Sequence, residues 1–434
     1  MTGSYSKIAK ALGAFSHIPP ESTANKTSDL GPEPQIGSGP AVSKFSVILK
    51  PEYGFDGDDD ATPWNEPESS VCDILRTADL EHVEERVLDG TDGVLWGRVR
   101  WPSGQIRSVM VRFDGIANAD VYKRFGNLLS ADSKQRDLIN RELLAYEVAK
   151  ACGVEDMVPP RVGRELNTVS LVSDAIREKI AEKLRISPND VDDRLGLIGI
   201  VQIIPRNICN FTSYFSTMGS SNKERWSALS DTARHSLYRA IAVDFLLGTP
   251  ERLLGAFSYN QTTDKVLIDD LSLSFTNPMV CAEQYIRDRE EGWGRNDKKG
   301  LSKTAETIPA HMYEFQRLFA DLDPKYLEEL QMTTAQIVAS LGDQEQGIVG
   351  MAMAEHRLPP ECGSGFFARL LYLEANPTAP IDGLAKFAKN VLVPIAIGGS
   401  VNDPAISGLV DSVDSLVSVP YPDFPGFATV MSSK

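Results

Sequence analysis

The chain has 434 residues, of which 42% are hydrophobic and 24% are charged, a composition typical of a soluble globular protein with two or three domains. Its 60 acidic residues exceed its 44 basic ones and give a formal charge of −16. Phosphate backbones and anionic membranes bind clustered Lys and Arg, so this balance excludes broad binding to nucleic acid or to a membrane surface. No apolar run approaches the roughly 18–20 residues that span a bilayer, and the N-terminal segment lacks the features of a signal peptide. We therefore expect a cytoplasmic protein.

Five cysteines are scattered along the chain, without a C-x-x-C pair or a histidine at the spacing of a zinc site. An odd, widely spaced set is typical of reduced thiols in the cytoplasm, so we expect free thiols and no zinc. The phosphate loop, the dinucleotide-binding glycine fingerprint, H-E-x-x-H and G-x-S-x-G are also absent from the sequence. We expect neither flavin nor haem as a cofactor.

The first 86 residues differ in character from those that follow. Residues 1–45 are rich in Ser, Gly and Pro without steady periodicity, which is typical of an extended N-terminal arm. Six acidic residues then lie between Asp56 and Glu68. Their start resembles a calcium loop, but Ala61 and Pro67 stand where such a loop requires Gly and Glu. We interpret the segment as a solvated acidic loop.

Residues 87–205 carry patterns of both strands and helices. GVLWGRVRW and IRSVMVRFDG alternate apolar and polar residues around a Pro-Ser-Gly turn, which predicts a β-hairpin. Apolar residues at helical spacing predict helices over 130–153 and 173–186. The apolar run LGLIGIVQIIP, residues 195–205, predicts a buried strand that ends at a proline.

Beyond residue 206 the pattern is mainly helical. Residues 222–248 predict a long helical region that breaks near Ser230, and a short hairpin follows with DKVLIDD as its second strand. Two further helices are predicted over 307–322 and 325–342. After about Asn376 the sequence becomes rich in Pro and Gly, which predicts a C-terminal extension.

The order of these elements supplies the groups that phosphoryl transfer needs: a cation on a strand, a helix Glu to hold it, a loop acid and a further Asp for magnesium. Residues 141–162, RELLAYEVAKACGVEDMVPPRV, resemble the helix-and-turn segment of atypical kinases related to phosphatidylinositol 3/4-kinases and HipA-type kinases. Residues 240–275 resemble the catalytic loop and metal-binding strand of the same kinases. The resemblance is strongest to kinase-like proteins of actinobacteria and their phages, and it spans residues 87–280 in the same order.

This resemblance implies a nucleotide site that holds ATP. Arg112 stands in the position of the phosphate-binding Lys, and Glu142 in that of the helix Glu that pairs with it. Gln202 begins the segment to Pro205 that would lie beside the adenine.

The resemblance assigns catalysis and Mg²⁺ binding to two later segments. Glu251 and Arg252 take the place of the Asp-Arg pair of the catalytic loop. Asp269 matches the Mg²⁺-binding Asp, with Asp270 beside it as a second metal ligand.

At three positions that the family uses for catalysis, this sequence has a different residue. Arg112 keeps the positive charge of Lys, but a planar guanidinium does not reproduce a compact ammonium. Glu251 places its carboxylate about one methylene farther out than Asp, and small misplacements slow catalysis by orders of magnitude. Ala256 replaces a metal-binding Asn, for which Asn260 and Asp264 are the nearby substitutes.

The same residues also have interpretations that do not require the family. Arg112 on a half-exposed strand is typical of a surface residue, and Glu142 on an amphipathic helix is typical of a solvated one. Asp269 can simply end its strand before a turn. The Glu-Arg pair that follows Pro250 suits the first turn of a helix.

The sequence predicts an α+β, two-lobed protein-kinase-like fold with an N-terminal arm and a C-terminal extension. Its parts are residues 1–86 (arm and acidic loop), 87–205 (N-lobe), 206–377 (mainly helical C-lobe) and 378–434 (extension). The leading hypothesis is a degenerate kinase-like protein that keeps a site for ATP and Mg²⁺ and acts mainly through a protein partner, inside a larger assembly. The alternatives are an active ATP- and Mg²⁺-dependent phosphotransferase and a purely structural or interaction protein.

Overall fold

The structure is a computed structural model that describes residues 68–84, 94–104, 106–113, 136–167, 171–195, 198–205, 207–249, 257–269, 271–276, 315, 318–320 and 322–381. The predicted arm, the acidic loop up to residue 67, nearly all of the predicted helix over 307–322 and the extension beyond residue 381 lie outside the described residues.

Five strands form an antiparallel sheet in the order β1-β2-β3-β5-β4. They are β1 (Leu80–Glu84), β2 (Val94–Arg100), β3 (Ile106–Phe113), β4 (Arg161–Glu165) and β5 (Ile198–Ile203). The predicted hairpin is confirmed, because β2 and β3 pair without a break from Val94 opposite Arg112 to Arg100 opposite Ile106. The sheet also includes β1, which precedes residue 87.

Helices α1 (Glu68–Thr77) and α2 (Arg136–Ala151) cover opposite faces of this sheet. Arg164 of β4 donates to the main-chain carbonyls of Leu75 and Ala78 at the end of α1. On the adjacent residue of β4, a Cβ added to Gly163 would come within 2.8 Å of the α2 side chain of Leu143. Successive strand residues face opposite sides of a sheet, so the two helices lie on different sides. Helix α2 confirms the helix predicted over 130–153.

The second part of the chain combines helices with a small three-stranded sheet. Helices α3 (Asp174–Leu184) and α4 (Val191–Leu195) lie between β4 and β5 in the chain. The helices of the second part are α5 (Phe211–Ser216), α6 (Asn222–Ala228), α7 (Asp231–Leu247), α8 (Pro324–Ser340), α9 (Asp343–Glu355) and α10 (Pro360–Ala375). The strands β6 (Ile208–Asn210), β7 (Ser258–Asn260) and β8 (Lys265–Leu267) follow one another in the sheet. The α+β class is confirmed.

Helix α7 is the buried centre of this second part and packs against α8, α10 and β8. The predicted break near Ser230 is confirmed, because the Ser230 hydroxyl accepts a hydrogen bond from the amide of Ala233 at 3.0 Å and caps the start of α7. Gly248 ends the helix in the left-handed conformation with φ of +68°. Within the described ranges, no helix has both the length and the apolar composition needed to cross a membrane.

Candidate functional site

A buried charge cluster lies between α2 and the five-stranded sheet. Glu142, in the middle of α2, is wholly buried, and its Oε2 forms a close ion pair with the Arg112 guanidinium of β3. Its Oε1 accepts a hydrogen bond of 2.6 Å from Nη1 of Arg161, the first residue of β4. Both arginines are buried as well. Removing charges from water is costly unless they are paired, so these three residues act as one unit.

The cluster shows which of the two interpretations of Arg112 and Glu142, buried ion pair or exposed residues, is correct. The interpretation of Arg112 as a surface residue and of Glu142 as a solvated one is wrong, because both are buried and bonded to each other. The pairing that the resemblance implied is present. A role of Arg112 in binding phosphate stays a prediction.

Arg161 is the member of the cluster that sequence analysis missed. Its Nη1 and Nη2 donate to the main-chain oxygen of Asp269 at 3.3 and 3.2 Å, and its Nε donates to the carbonyl of Pro159. Burial lowers the pKa of the Arg161 guanidinium, and the Glu142 carboxylate opposes that effect. The one signal in the sequence was a basic residue that closes the apolar, proline-rich segment MVPPRV.

Asp269 lies where the sheet and the helical part of the chain meet. It directly follows Ile268, whose amide donates to the carbonyl of Met157 at 2.9 Å, and it is partly exposed. Nearby, Lys265 Nζ forms a 2.5 Å ion pair with Asp156. Because Arg161 donates both to the Asp269 carbonyl and to Glu142, it joins the predicted metal residue to the predicted phosphate pair.

Gln202 shares a face of the sheet with both arginines. Its register partners are Met110 on β3 and Arg161 on β4, and Arg112 is two residues from Met110. Directly paired residues and residues two apart on a strand point to the same side. Gln202 is 3% exposed, and its Oε1 has no hydrogen-bond partner among the described residues. Gln202, the first residue of the predicted adenine-binding segment, therefore faces the same side of the sheet as the charge cluster.

The remaining predicted site residues are not part of the described structure. They are Glu251, Arg252, Ala256 and Asp270. Their assigned roles in catalysis and metal binding stay predictions.

The two nearby substitutes for the missing metal-binding Asn are both engaged in the turn between β7 and β8. Asn260 Oδ1 accepts from the amide of Thr262 at 2.9 Å. The Asp264 carboxylate accepts hydrogen bonds from the hydroxyls of Ser230 and Tyr259. These contacts hold the turn against the start of α7, so the structure does not support Asn260 or Asp264 as a replacement ligand. Across the described ranges, no group of three or more His, Cys, Asp or Glu side chains is arranged to hold a metal ion.

A third buried arginine, Arg141, anchors the segment that follows Asp269. Arg141 of α2 donates to the main-chain oxygens of Ser274 at 3.0 Å and Phe275 at 2.5 Å. Its Nη2 also contacts Cys362 Sγ of α10 at 3.7 Å. Helix α2 therefore contacts both sides of the boundary between the sheet and the helical part.

The similarity of this chain to known proteins is a similarity of structure. No protein-family model and no curated protein matches the chain. Among solved structures, the chain is similar to the crystal structure of the Golgi casein kinase, with 13% sequence identity and a TM-score of 0.38 over 82% of this chain and 94% of that one. At this level of similarity, a functional assignment depends on the geometry of the chain itself.

Proposed function

We propose that the chain is a cytoplasmic kinase-like protein that binds ATP beside the buried cluster, that has lost efficient phosphoryl transfer, and that acts through a protein partner. The observation that carries this proposal is the connection of Arg112, Glu142 and Arg161 to Asp269. The relation to phosphatidylinositol 3/4-kinases and HipA-type kinases belongs to the same proposal.

The charges of the cluster favour an anionic ligand. Two guanidiniums share the single carboxylate of Glu142, which leaves one positive charge in excess within the cluster. The carboxylate of Asp269, which interacts with Arg161, is at the edge of this group. A guanidinium binds phosphate oxygens with paired hydrogen bonds. The bond to Glu142 fixes the direction in which the remaining N–H groups of Arg112 point.

The residues present fit ATP and Mg²⁺. The buried Gln202 Oε1 is an acceptor suited to the amino group of a base, on the same face as the arginines. Mg²⁺ is usually held by one or two carboxylates together with phosphate oxygens and water, so Asp269 alone on the protein side meets its needs. When bound, the ion would neutralise phosphate charge.

Loss of efficient transfer follows from the groups that would act on the acceptor. Glu251 and Ala256 replace the acid and the metal ligand of the family, and Asn260 and Asp264 are engaged in their turn. A nucleotide held at one end without a well-placed acid or a second metal ligand would turn over slowly. We therefore propose that a protein with such a site acts by binding another protein.

An active phosphotransferase is the second candidate, and the position of Asp269 beside the cluster favours it. In that case Glu251 would orient the acceptor hydroxyl while Arg112 and Glu142 hold the phosphates. Glu251→Gln would then abolish ATP-dependent phosphate transfer without changing ATP affinity.

The test is the thermal unfolding midpoint of the full chain with ATP, with and without Mg²⁺, for the wild type and Asp269→Ala. A ligand that binds only the folded state at about 100 times Kd adds about 2.7 kcal/mol, which raises the midpoint by several degrees. We expect a shift whose Mg²⁺-dependent part is lost in Asp269→Ala and kept in Asp193→Ala, an exposed control. No shift at millimolar ATP would contradict the proposal and favour the purely structural alternative.

A further inference from the structure

One buried side chain, Arg161, contacts both Glu142 of α2 and the main chain of the predicted metal residue, Asp269, just after β8. We propose that Arg161 is a positioning residue of the phosphate site, which sets the direction of Arg112 through Glu142 and fixes the main chain at Asp269. This inference rests on the proposed function. It adds a residue for which the resemblance gave no role.

The guanidinium of Arg161 is held in one orientation by all three of its nitrogens. Nε donates to the Pro159 carbonyl at 3.3 Å, Nη1 to Glu142 at 2.6 Å, and both Nη atoms to the Asp269 carbonyl. The planar fork of a guanidinium makes such divided contacts possible. A lysine ammonium at this position keeps the charge but not the fixed fork.

The two oxygens of Glu142 have different partners, and this determines the orientation of Arg112. Oε2 is bonded to Arg112 and Oε1 to Arg161, so the carboxylate is held from both sides and does not rotate. Without Arg161, the carboxylate gains freedom about its last torsion, and the Arg112 guanidinium bonded to it loses its fixed direction.

Arg161 also determines where Asp269 lies. Its bonds to the Asp269 carbonyl join β4 to the chain just after β8, in addition to the hydrogen bond between Ile268 and Met157. The phosphate cation and the metal carboxylate are therefore positioned by one common group. A displacement of about 1 Å in such a site is enough to cost about a hundredfold in function.

The experiment compares Arg161→Lys with Arg141→Lys by isothermal titration with ATP, with and without Mg²⁺. Arg141 is the matched control because it is equally buried and also donates to main-chain carbonyls, those of Ser274 and Phe275. We expect both variants to unfold at lower temperature. We expect Arg161→Lys to raise Kd for ATP about tenfold or more and to reduce the effect of Mg²⁺ on Kd, and Arg141→Lys to stay within about threefold of the wild type.

A merely structural role of Arg161 would lower stability and leave the effect of Mg²⁺ on Kd unchanged. Equal changes of Kd in the two lysine variants, or wild-type affinity in Arg161→Lys, would overturn the inference. If Arg161→Lys does not fold, Arg161→Gln replaces it, since it leaves Arg112 and Glu142 as a balanced pair, and it must show the same loss of affinity. Absence of ATP binding by the wild type would instead refute the proposed function and this inference with it.

Discussion

Glu142 in the middle of α2 and Arg161 at the start of β4 are joined by a 2.6 Å hydrogen bond that no solvent reaches. Arg112 binds the other oxygen of the same carboxylate. The stability of this region therefore depends on one negative charge placed between two positive ones.

Removal of that negative charge should strongly destabilise the fold. Glu142→Ala leaves two buried guanidiniums without their carboxylate, and breaking a buried ion pair in this way costs about 3–5 kcal/mol. Urea denaturation measures the change in the free energy of unfolding. Glu147→Ala on the same helix, where an exposed Glu147 pairs with Lys150, should change it by less than about 1 kcal/mol. Equal effects of the two substitutions would contradict the buried cluster.

The end of α7 offers a second pair of matched variants. Gly248 and Gly153 both have positive φ, +68° and +66°, so an alanine at either position is strained by about 1–2 kcal/mol. At Gly248 an added Cβ would also lie 2.5 Å from the buried guanidinium of Arg369, whereas nothing lies within 4 Å at Gly153. Gly248→Ala should therefore destabilise the protein clearly more than Gly153→Ala in urea denaturation. Similar losses would mean that Arg369 does not pack closely against the helix end.

The described cysteines should react slowly in the folded protein. Cys72, Cys152, Cys209 and Cys362 are buried and form no disulfide with one another, and burial raises the pKa of the Cys152 thiol to about 12. Because the thiolate is the reactive form, the Cys152 thiol is almost entirely unreactive near pH 8, and burial keeps a reagent in solution away from the other three thiols. In a Cys281→Ser background, a disulfide reagent should find almost no fast-reacting thiol before urea is added and four after unfolding. Rapid labelling of the native variant would contradict the burial of these four cysteines.

His356 should make stability depend on pH near neutrality. Burial lowers its pKa below the ordinary value of about 6.5, against the opposing effect of Glu355 and Glu147. The unfolded chain then binds the proton more readily, so the contribution of His356 is complete above about pH 6.5 and is lost as the pH falls from there through the lower folded pKa. His356→Gln should lose less stability between pH 7 and 5.5 than the wild type, as measured by urea titrations at each pH. An identical pH dependence of the two proteins would contradict the shift.

Sequence patterns predicted those helices and strands that are determined by neighbouring residues in the chain. The β2–β3 hairpin followed from alternation around a turn, and the break before α7 followed from the capping residue Ser230. By contrast, β1 was assigned to an irregular N-terminal segment, because pairing along the edge of a sheet leaves little trace in a five-residue stretch.

The candidate site was predictable only in part. The resemblance placed Arg112 opposite Glu142, whereas the residues by themselves favoured solvent-exposed positions for both. Arg161 could not be predicted, since its partners are Glu142 on another element and Asp269 more than a hundred residues away. Whether a buried cation is paired depends on such long-range contacts, which periodicity does not record.

The most direct measurement is the affinity for ATP of Arg112→Gln compared with the wild type, by isothermal titration in the presence of Mg²⁺. In this variant Glu142 keeps Arg161 as its partner, so the buried carboxylate stays compensated and the fold should be retained. We predict that the wild type binds ATP and that Kd rises about tenfold or more in Arg112→Gln, because a charged hydrogen bond to phosphate is lost. Wild-type affinity in a folded Arg112→Gln variant would show that the phosphates do not bind at this cluster.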